Sequence, residues 1–358
     1  MSRNYYIFTP GKLRRKDNTI FFEPFNSENF FQSDDYSDEL LLDSGDSIEQ
    51  ETDSVNKTII PINDIEAFYI MTEITLNTKF LDFLAKNEIP AHFFNYYGFY
   101  NGTYYPREYL NSGFLIIKQA QYYLNNKKRL FLARKFIEGA AFNILMNLKY
   151  YNRRDRDFEE QILSIEKLLP EISEAKDITS IMNIEGRIRK IYYSTFNDIL
   201  TSDLEFTKRE FHPPSNPINA LISFCNSLVY TTVISELYRT QLNPTISFLH
   251  EPGSRRFSLA LDISEVFKPL LADRIIFRLL NTKSISNKDF EAKLNNHYLK
   301  ESGRKKVIQE YDSKLKTTIK HRILKRHISY QRLVRLECYK LIKHLTEDKQ
   351  YEPFKIWW

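Results

Sequence analysis

Cysteine, glycine and proline are scarce in this chain: of 358 residues, two are cysteine, nine glycine and thirteen proline. Cys225 and Cys338 stand far apart in apolar, helix-patterned stretches. That excludes a disulfide framework and a paired-thiolate zinc knuckle, and a reducing compartment fits. So little glycine and proline excludes collagen-like and low-complexity chains. No run approaches the roughly 18 apolar residues that cross a bilayer. The opening MSRNYYIFTPGKLRRKDN also lacks an apolar segment of signal-peptide length. The expectation is a cytoplasmic protein with no membrane partner. No repeat period recurs, which argues against a solenoid.

Aromatic residues, by contrast, are abundant, with 23 Tyr and 27 Phe. A chain of this length and composition can bury a large core and is long enough for two domains. The net charge of +5 hides a strong asymmetry. From Asp34 to Asp53 there are nine acids and no base, whereas from Gly303 to His344 thirteen Lys or Arg face three acids. The acidic stretch, about 33–56, buries little apolar surface and reads as a solvated excursion.

Two periods divide the chain. Up to about residue 107 the runs NYYIF, TIFFE, KTIIPI, IEAFYI and AHFFNYYGFYNGTYY are short, β-branched and aromatic, separated by Asn and Gly. Asn101-Gly102 between alternating aromatics reads as a hairpin turn, and one helix is expected near Asn77 to Lys86. From residue 108 apolar residues recur three and four apart, as in RLFLARKFIEGAAFNILMNLKYY, and strand signals vanish. NPINALISFCNSLVYTTVISELYRTQL reads as a buried helix. The fold class is therefore α+β with two domains: a small N-terminal β domain, 1–107, followed by a larger all-helical domain, 108–358.

Chemistry concentrates in FLHEPGSRRFSLALDISEVFKP, from Phe248 to Pro269. Ser258 suits the N-cap of a helix, with Arg255 and Arg256 in the loop before it. Asp262 and Glu265, three apart, share a helix face, and Lys268 continues it. Leu261, Ile263, Val266 and Phe267 form the buried side, and Pro269 ends or kinks the helix. His250 lies within reach of the helix start. Ile-Glu-Gly on another helix adds Glu185 in apolar surroundings, where an ionised carboxylate needs a partner or a metal. One imidazole with two carboxylates suits Mn²⁺ or Mg²⁺ better than zinc. On these residues alone the face is either a solvated edge or a metal site.

These segments resemble the CRISPR adaptation integrases, the Cas-one family of endonucleases. The likeness rests on IEGRIRKIYYSTFN, PPSNPINALISFCNSLVY, FLHEPGSRRFSLALDISEVFKP and the closing YQRLVRLECYKLIKHLTEDKQYEPFKIWW, and it covers most of the chain. The resemblance implies a divalent metal, Mn²⁺ or Mg²⁺, held by Glu185, His250 and Glu265. It further implies Asp262 as an outer or alternative ligand, Lys268 near the phosphodiester and Tyr230 as a hydroxyl close by. It implies a homodimer formed through the β domains, acting with Cas-two in a heterohexameric complex on double-stranded and branched DNA. Insertion of foreign fragments into a CRISPR array would proceed by attack of a 3′-hydroxyl on a repeat phosphodiester. In that setting the basic run, with Lys320, Arg322, Lys325 and Arg326 and interleaved Tyr311, Tyr330 and Tyr339, reads as a DNA contact together with Arg255 and Arg256. The competing readings are a metal-dependent nuclease of branched DNA in repair and a catalytically silent DNA-binding scaffold.

Overall fold

The computed structural model of the chain describes residues 3–25, 58–154, 156–210, 214–253, 256–293 and 296–357. The acidic excursion expected at about 33–56 and Arg255 lie outside these. The described residues fall into two compact units, one running to Tyr96 with Tyr100–Arg107 added, the other made of Tyr97–Phe99 and Glu108 onward.

The first unit is built from strands, as the short β-branched runs require. Its strands are β1 (Arg3–Ile7), β2 (Gly11–Lys16), β3 (Thr19–Pro24), β4 (Thr58–Pro61), β5 (Ile65–Ile70), β6 (Ile74–Leu76), β7 (Ala91–Phe94) and β8 (Tyr100–Tyr104). One sheet has the order β1-β5-β7-β8 and the other β4-β3-β2-β6. Leu13 and Ile20 of one sheet and Phe68 and Ile70 of the other share a core with Phe80 and Leu84 of α1 (Thr78–Lys86). Helix α1 begins where the sequence places it, because the Asn77 side chain accepts the Phe80 N–H at 3.0 Å. β2 and β3 form a hairpin over Asp17-Asn18, with Asp17 in the left-handed region at φ 53°. The β7–β8 turn differs from expectation. Asn101 and Gly102 lie inside β8, and the left-handed residue is Gly98, at φ 83°.

The second unit is helical: α2 (Gly113–Leu124), α3 (Asn126–Asn152), α4 (Glu159–Glu174), α5 (Ile178–Ser194), α6 (Phe196–Ile199), α7 (Pro217–Tyr238), α8 (Ser258–Lys268), α9 (Arg274–Asn281), α10 (Glu301–Lys316) and α11 (Tyr330–Leu345). Ser112, Asn125, Asp177, Asn216 and Ser329 each accept the backbone N–H three residues on. Short polar side chains thus set where five of these helices start. Two short antiparallel hairpins, β9 (Phe290–Lys293) with β10 (Asn296–Leu299) and β11 (Thr318–Lys320) with β12 (His327–Ser329), interrupt the helical pattern that the sequence suggested was unbroken. α8 lies against α3 and α7. α7 corrects one expectation, since by length and composition it could cross a membrane; 83% of its most apolar window is nevertheless buried inside this unit.

Candidate active site

Helix α8 is not a half-solvated amphipathic helix. Leu259, Ala260, Ile263, Val266 and Phe267 are buried, and so are Asp262 and Glu265 on its remaining sides. The solvated-edge alternative therefore fails. Two carboxylates inside a packed unit must find partners, because an uncompensated buried charge is costly.

Asp262 finds them in the loop that carries His250. Its Oδ2 accepts the Phe248 N–H at 2.6 Å and the Leu249 N–H at 3.0 Å, and its Oδ1 accepts the His250 N–H at 3.0 Å. Oδ1 also pairs with His250 Nδ1 at 2.8 Å. Both oxygens are thus spent on shaping the loop and aiming the imidazole. This geometry sets Asp262 behind the imidazole, where it positions His250. The loop is also held from behind, as Arg129 Nε donates to the Phe248 carbonyl at 2.9 Å and Arg129 Nη2 pairs with Glu251 at 2.6 Å. Ser258 does not cap α8; its hydroxyl donates to the Thr245 carbonyl at 2.8 Å, tying the helix start to the chain before His250.

Glu265 points to other partners. Lys268 Nζ lies 2.5 Å from its Oε1, and Arg189 Nη2 pairs with its Oε2. Arg189, one turn after Glu185 on α5, also donates through Nε to Glu185 Oε1. One guanidinium therefore joins carboxylates from two helices, over a wall of Ile137, Ala140, Ala141 and Ile144 from α3. Beyond Lys268 the helix does not stop at Pro269 but continues as one π turn, Pro269–Asp273, into α9. Proline lacks the N–H that the regular ladder needs. Carbonyls left over there are taken from α3: Asn143 Nδ2 donates to Val266 at 2.9 Å and Asn147 Nδ2 to Pro269 at 2.8 Å.

The charges shift one another. Burial opposes ionisation of Glu265, but Lys268, Arg189 and His250 outweigh it and hold the carboxyl down to about 2. Burial likewise opposes charge on His250, yet the bond to Asp262 and the attraction of Asp262 and Glu265 raise it above the ordinary imidazole value. Burial pushes the Asp273 carboxyl up to about 6, with Arg189 acting against it.

Of the residues singled out in the sequence, Glu185, His250, Asp262, Glu265 and Lys268 join through these contacts and mutual fields. Tyr230 is buried on α7. Arg256 lies exposed with its guanidinium 5.1 Å from the Phe257 ring centroid. Lys320, Arg322, Lys325 and Arg326 sit on the β11–β12 hairpin, whose Ile323 is 75% exposed. Tyr311 and Tyr330, expected on that basic surface, are instead buried. Sequence reasoning missed Arg189, although its i,i+4 spacing from Glu185 was a signal, and it missed Arg129, which no local spacing reveals.

A family profile described as CRISPR associated protein Cas1 matches residues 5–313. The chain belongs to the Cas1 family. It is 49% identical to a CRISPR-associated endonuclease Cas1 of Thermodesulfovibrio yellowstonii, over 99% of this chain and all of that protein. It is 47% identical to one from Fusobacterium nucleatum, over all of this chain and 98% of the relative. A solved Cas1 protein from Thermotoga maritima superposes with a TM-score of 0.80 at 35% identity, covering 98% of this chain and 100% of that one. A casposase bound to integration product shares the fold, with a TM-score of 0.81 at 19% identity over 99% and 93% of the two chains. The strand-rich then helical order is that of the Cas1 fold, and this is a CRISPR-associated protein of the adaptation module.

Among the described residues no three His, Cys, Asp or Glu side chains converge as a ready-made metal cage. The donor chemistry nonetheless fits a hard divalent cation. Glu185 and Glu265 are joined by a single cationic group, and His250 Nδ1 is committed to Asp262, which leaves Nε2 as the ring nitrogen that could ligate a cation. A carboxylate behind a ligating imidazole is the usual way that ring orientation and tautomer are fixed.

Proposed function

We propose that this chain is a divalent-metal-dependent DNA endonuclease and strand-transfer integrase, which joins foreign DNA fragments to a CRISPR array as a homodimer in complex with Cas2. The observation that carries the reading is the pair of carboxylates, Glu185 and Glu265, brought together from two helices next to an imidazole aimed by Asp262. Glu185, Glu265 and His250 Nε2 would hold Mn²⁺ or Mg²⁺. Bound there, the ion supplies Lewis-acid stabilisation of charge at a phosphoryl group.

The rest is work for the chain's own residues. Asp262 holds the proton on Nδ1 and so keeps Nε2 as a lone-pair donor. Lys268, 2.5 Å from Glu265 and partly exposed, is a cation that can turn from that carboxylate to a non-bridging phosphate oxygen. The apolar α3 wall behind Glu185 keeps water from that side. In strand transfer the oxygen of the 3′-hydroxyl forms a bond to phosphorus, the repeat strand's P–O3′ bond breaks, and the proton passes in net from the attacking to the departing hydroxyl. No covalent bond to the enzyme is needed. Arg256 and the basic β11–β12 hairpin are the surfaces offered to the phosphate backbone. Association with Cas2 and with DNA is supported by a solved Cas6-RT-Cas1–Cas2 complex and by the casposase bound to integration product, both sharing this fold.

The test is joining of a short 3′-hydroxyl duplex to a supercoiled plasmid carrying a repeat, with Cas2 and with Mn²⁺ or EDTA. Joined product should require both metal and His250, vanishing in His250→Ala. Metal-stimulated nicking of branched DNA without joining would replace the reading with a repair nuclease. Binding without either reaction would leave a silent scaffold.

A further inference from the structure

The β11–β12 hairpin ends in hydrocarbon. Its turn exposes Ile323, at 75%, and Leu324, at 43%, and Lys320, Arg322, Lys325 and Arg326 on either side of them are exposed as well. The turn is held by its own bonds. The His321 N–H donates to the Arg326 carbonyl and the Lys325 N–H to the His321 carbonyl, both at 2.9 Å. The His321 ring closes the turn from inside, where Nδ1 accepts the N–H of Ile323 at 3.2 Å and that of Leu324 at 3.1 Å. With those two amides satisfied by the imidazole, the tip presents branched side chains rather than backbone donors.

The hairpin is also fastened to the helix that carries Glu265. Trp357 donates its indole N–H to the Lys320 carbonyl at 3.1 Å, and the Arg322 guanidinium lies 5.3 Å from its ring centroid. Trp357 rests on Phe354, with centroids 5.4 Å apart, and Phe354 stacks on Phe267 of α8 at 5.7 Å. Asn143 of α3 pins this segment, as its Nδ2 donates to the Phe354 carbonyl at 3.0 Å and its Oδ1 accepts the Ile356 N–H at 2.9 Å. A run of rings thus carries the hairpin on α8. Apolar side chains kept at a surface mark a contact, and the cations beside them set the sign of the partner. A duplex meets both demands, with phosphates outside and stacked bases within, and side chains such as Ile and Leu enter its minor groove and part a base step. An acidic protein would match the charge, but the fastening to α8 favours the substrate of that helix.

We propose that Ile323 and Leu324 form a wedge that enters the minor groove of duplex DNA and unstacks a base step, while Lys320, Arg322, Lys325 and Arg326 hold the flanking phosphates. This rests on the DNA-joining function proposed above and adds to it a kink in the DNA.

The test uses the full-length chain with Cas2, in EDTA so that no strand is cut, at saturating protein. Duplexes carry 2-aminopurine at successive positions and a dye at each end. Wild type should raise 2-aminopurine emission at one or more positions and increase end-to-end energy transfer, as a kink of about 20–90° requires. Ile323→Ser with Leu324→Ser, at exposed positions, should melt as wild type does, lose both signals and keep the slope of log K against log salt. Ile323→Met with Leu324→Met should retain both signals, since methionine also serves as a wedge. Lys320→Gln with Arg326→Gln should make the salt slope shallower by about two. If wild type binds duplex with neither signal, or the serine variant keeps both, the wedge is overturned while the integrase reading stands. Loss of Cas2 association in the serine variant with both DNA signals intact assigns the tip to a protein contact and overturns it equally. If wild type binds no duplex at all, the integrase reading fails and the wedge falls with it.

Discussion

Arg189 stands where the two carboxylates of the site meet, and removing its charge separates an ion-pair network from a metal site. In Arg189→Gln, Glu185 loses its cation, while Glu265 keeps Lys268. Breaking a buried pair by deleting one partner costs about 3–5 kcal/mol, and the retained Lys268 places this variant at the lower end, about 3. For a unit of roughly 250 residues, 1 kcal/mol moves the melting temperature by about 2–4 °C. In EDTA the variant should thus melt about 6–12 °C below wild type. A cation binding the folded state at a hundred times its dissociation constant returns about 2.7 kcal/mol. Mn²⁺ should then restore most of the loss, and should shift wild type less, since there it must first displace a guanidinium. The assay is thermal unfolding by circular dichroism in EDTA and across a Mn²⁺ titration. If Mn²⁺ stabilises the variant no more than wild type, Glu185 and Glu265 form a structural ion-pair network and the metal assignment is refuted.

Three other outcomes follow from the contacts. Asp262→Asn keeps the size but sets an amide against backbone N–H donors and the imidazole; stability should fall by about 2–4 kcal/mol, since buried donors left unmatched cost about 1–3 each, and an unchanged urea midpoint would contradict the positioning role. Burial opposes ionisation of Asp289, but Lys306 at 2.7 Å and bonds from Ser286 and Ser302 hold its carboxyl below the usual value. A depressed folded pKa contributes stability above the unfolded value near 4 and loses it as pH falls through the folded one. Asp289→Asn should accordingly be about 2 kcal/mol less stable at pH 7, with the gap narrowing in urea melts as the pH is taken below about 4. At Gly139 on α3 an added Cβ would sit 2.7 Å from Pro353 Cβ, so Gly139→Ala should cost about 1–3 kcal/mol, more than helix propensity returns, and an equally stable variant would refute that close approach.

The two-part order of the chain was legible because β-branched aromatic runs and a 3.6-residue period are local signals, and packing had only to agree with them. Where a local signal met a tertiary demand, it misled. Asn101-Gly102 has turn chemistry, yet the left-handed residue of the β7–β8 turn is Gly98. Hairpins β9–β10 and β11–β12 have strands of three or four mostly polar residues, too short for alternation to register. Tyr311 and Tyr330 share a basic run with lysines and arginines, but the run spans two helices and a hairpin, and helical spacing turns those rings inward.

The site shows the same division more sharply. Glu185, His250, Asp262, Glu265 and Lys268 could be named from residue type and spacing, but their pairings could not. Asp262 and Glu265 are three apart on one helix, and spacing gives them one face. In the folded unit Asp262 serves the His250 loop while Glu265 faces α5. The difference arises because His250, twelve positions earlier in the chain, is bonded to Asp262, whereas the partner of Glu265 is Arg189, 76 positions away on α5. Arg189 four residues after Glu185 is the commonest of surface helix pairs, worth a few tenths of a kcal/mol when solvated. Burial and a second carboxylate, both supplied by α8, convert it into the cation that balances the site. Two glutamates against Arg189 and Lys268 make the group neutral as folded, so a divalent cation can enter without a large surplus of charge only if the guanidinium leaves or phosphate arrives.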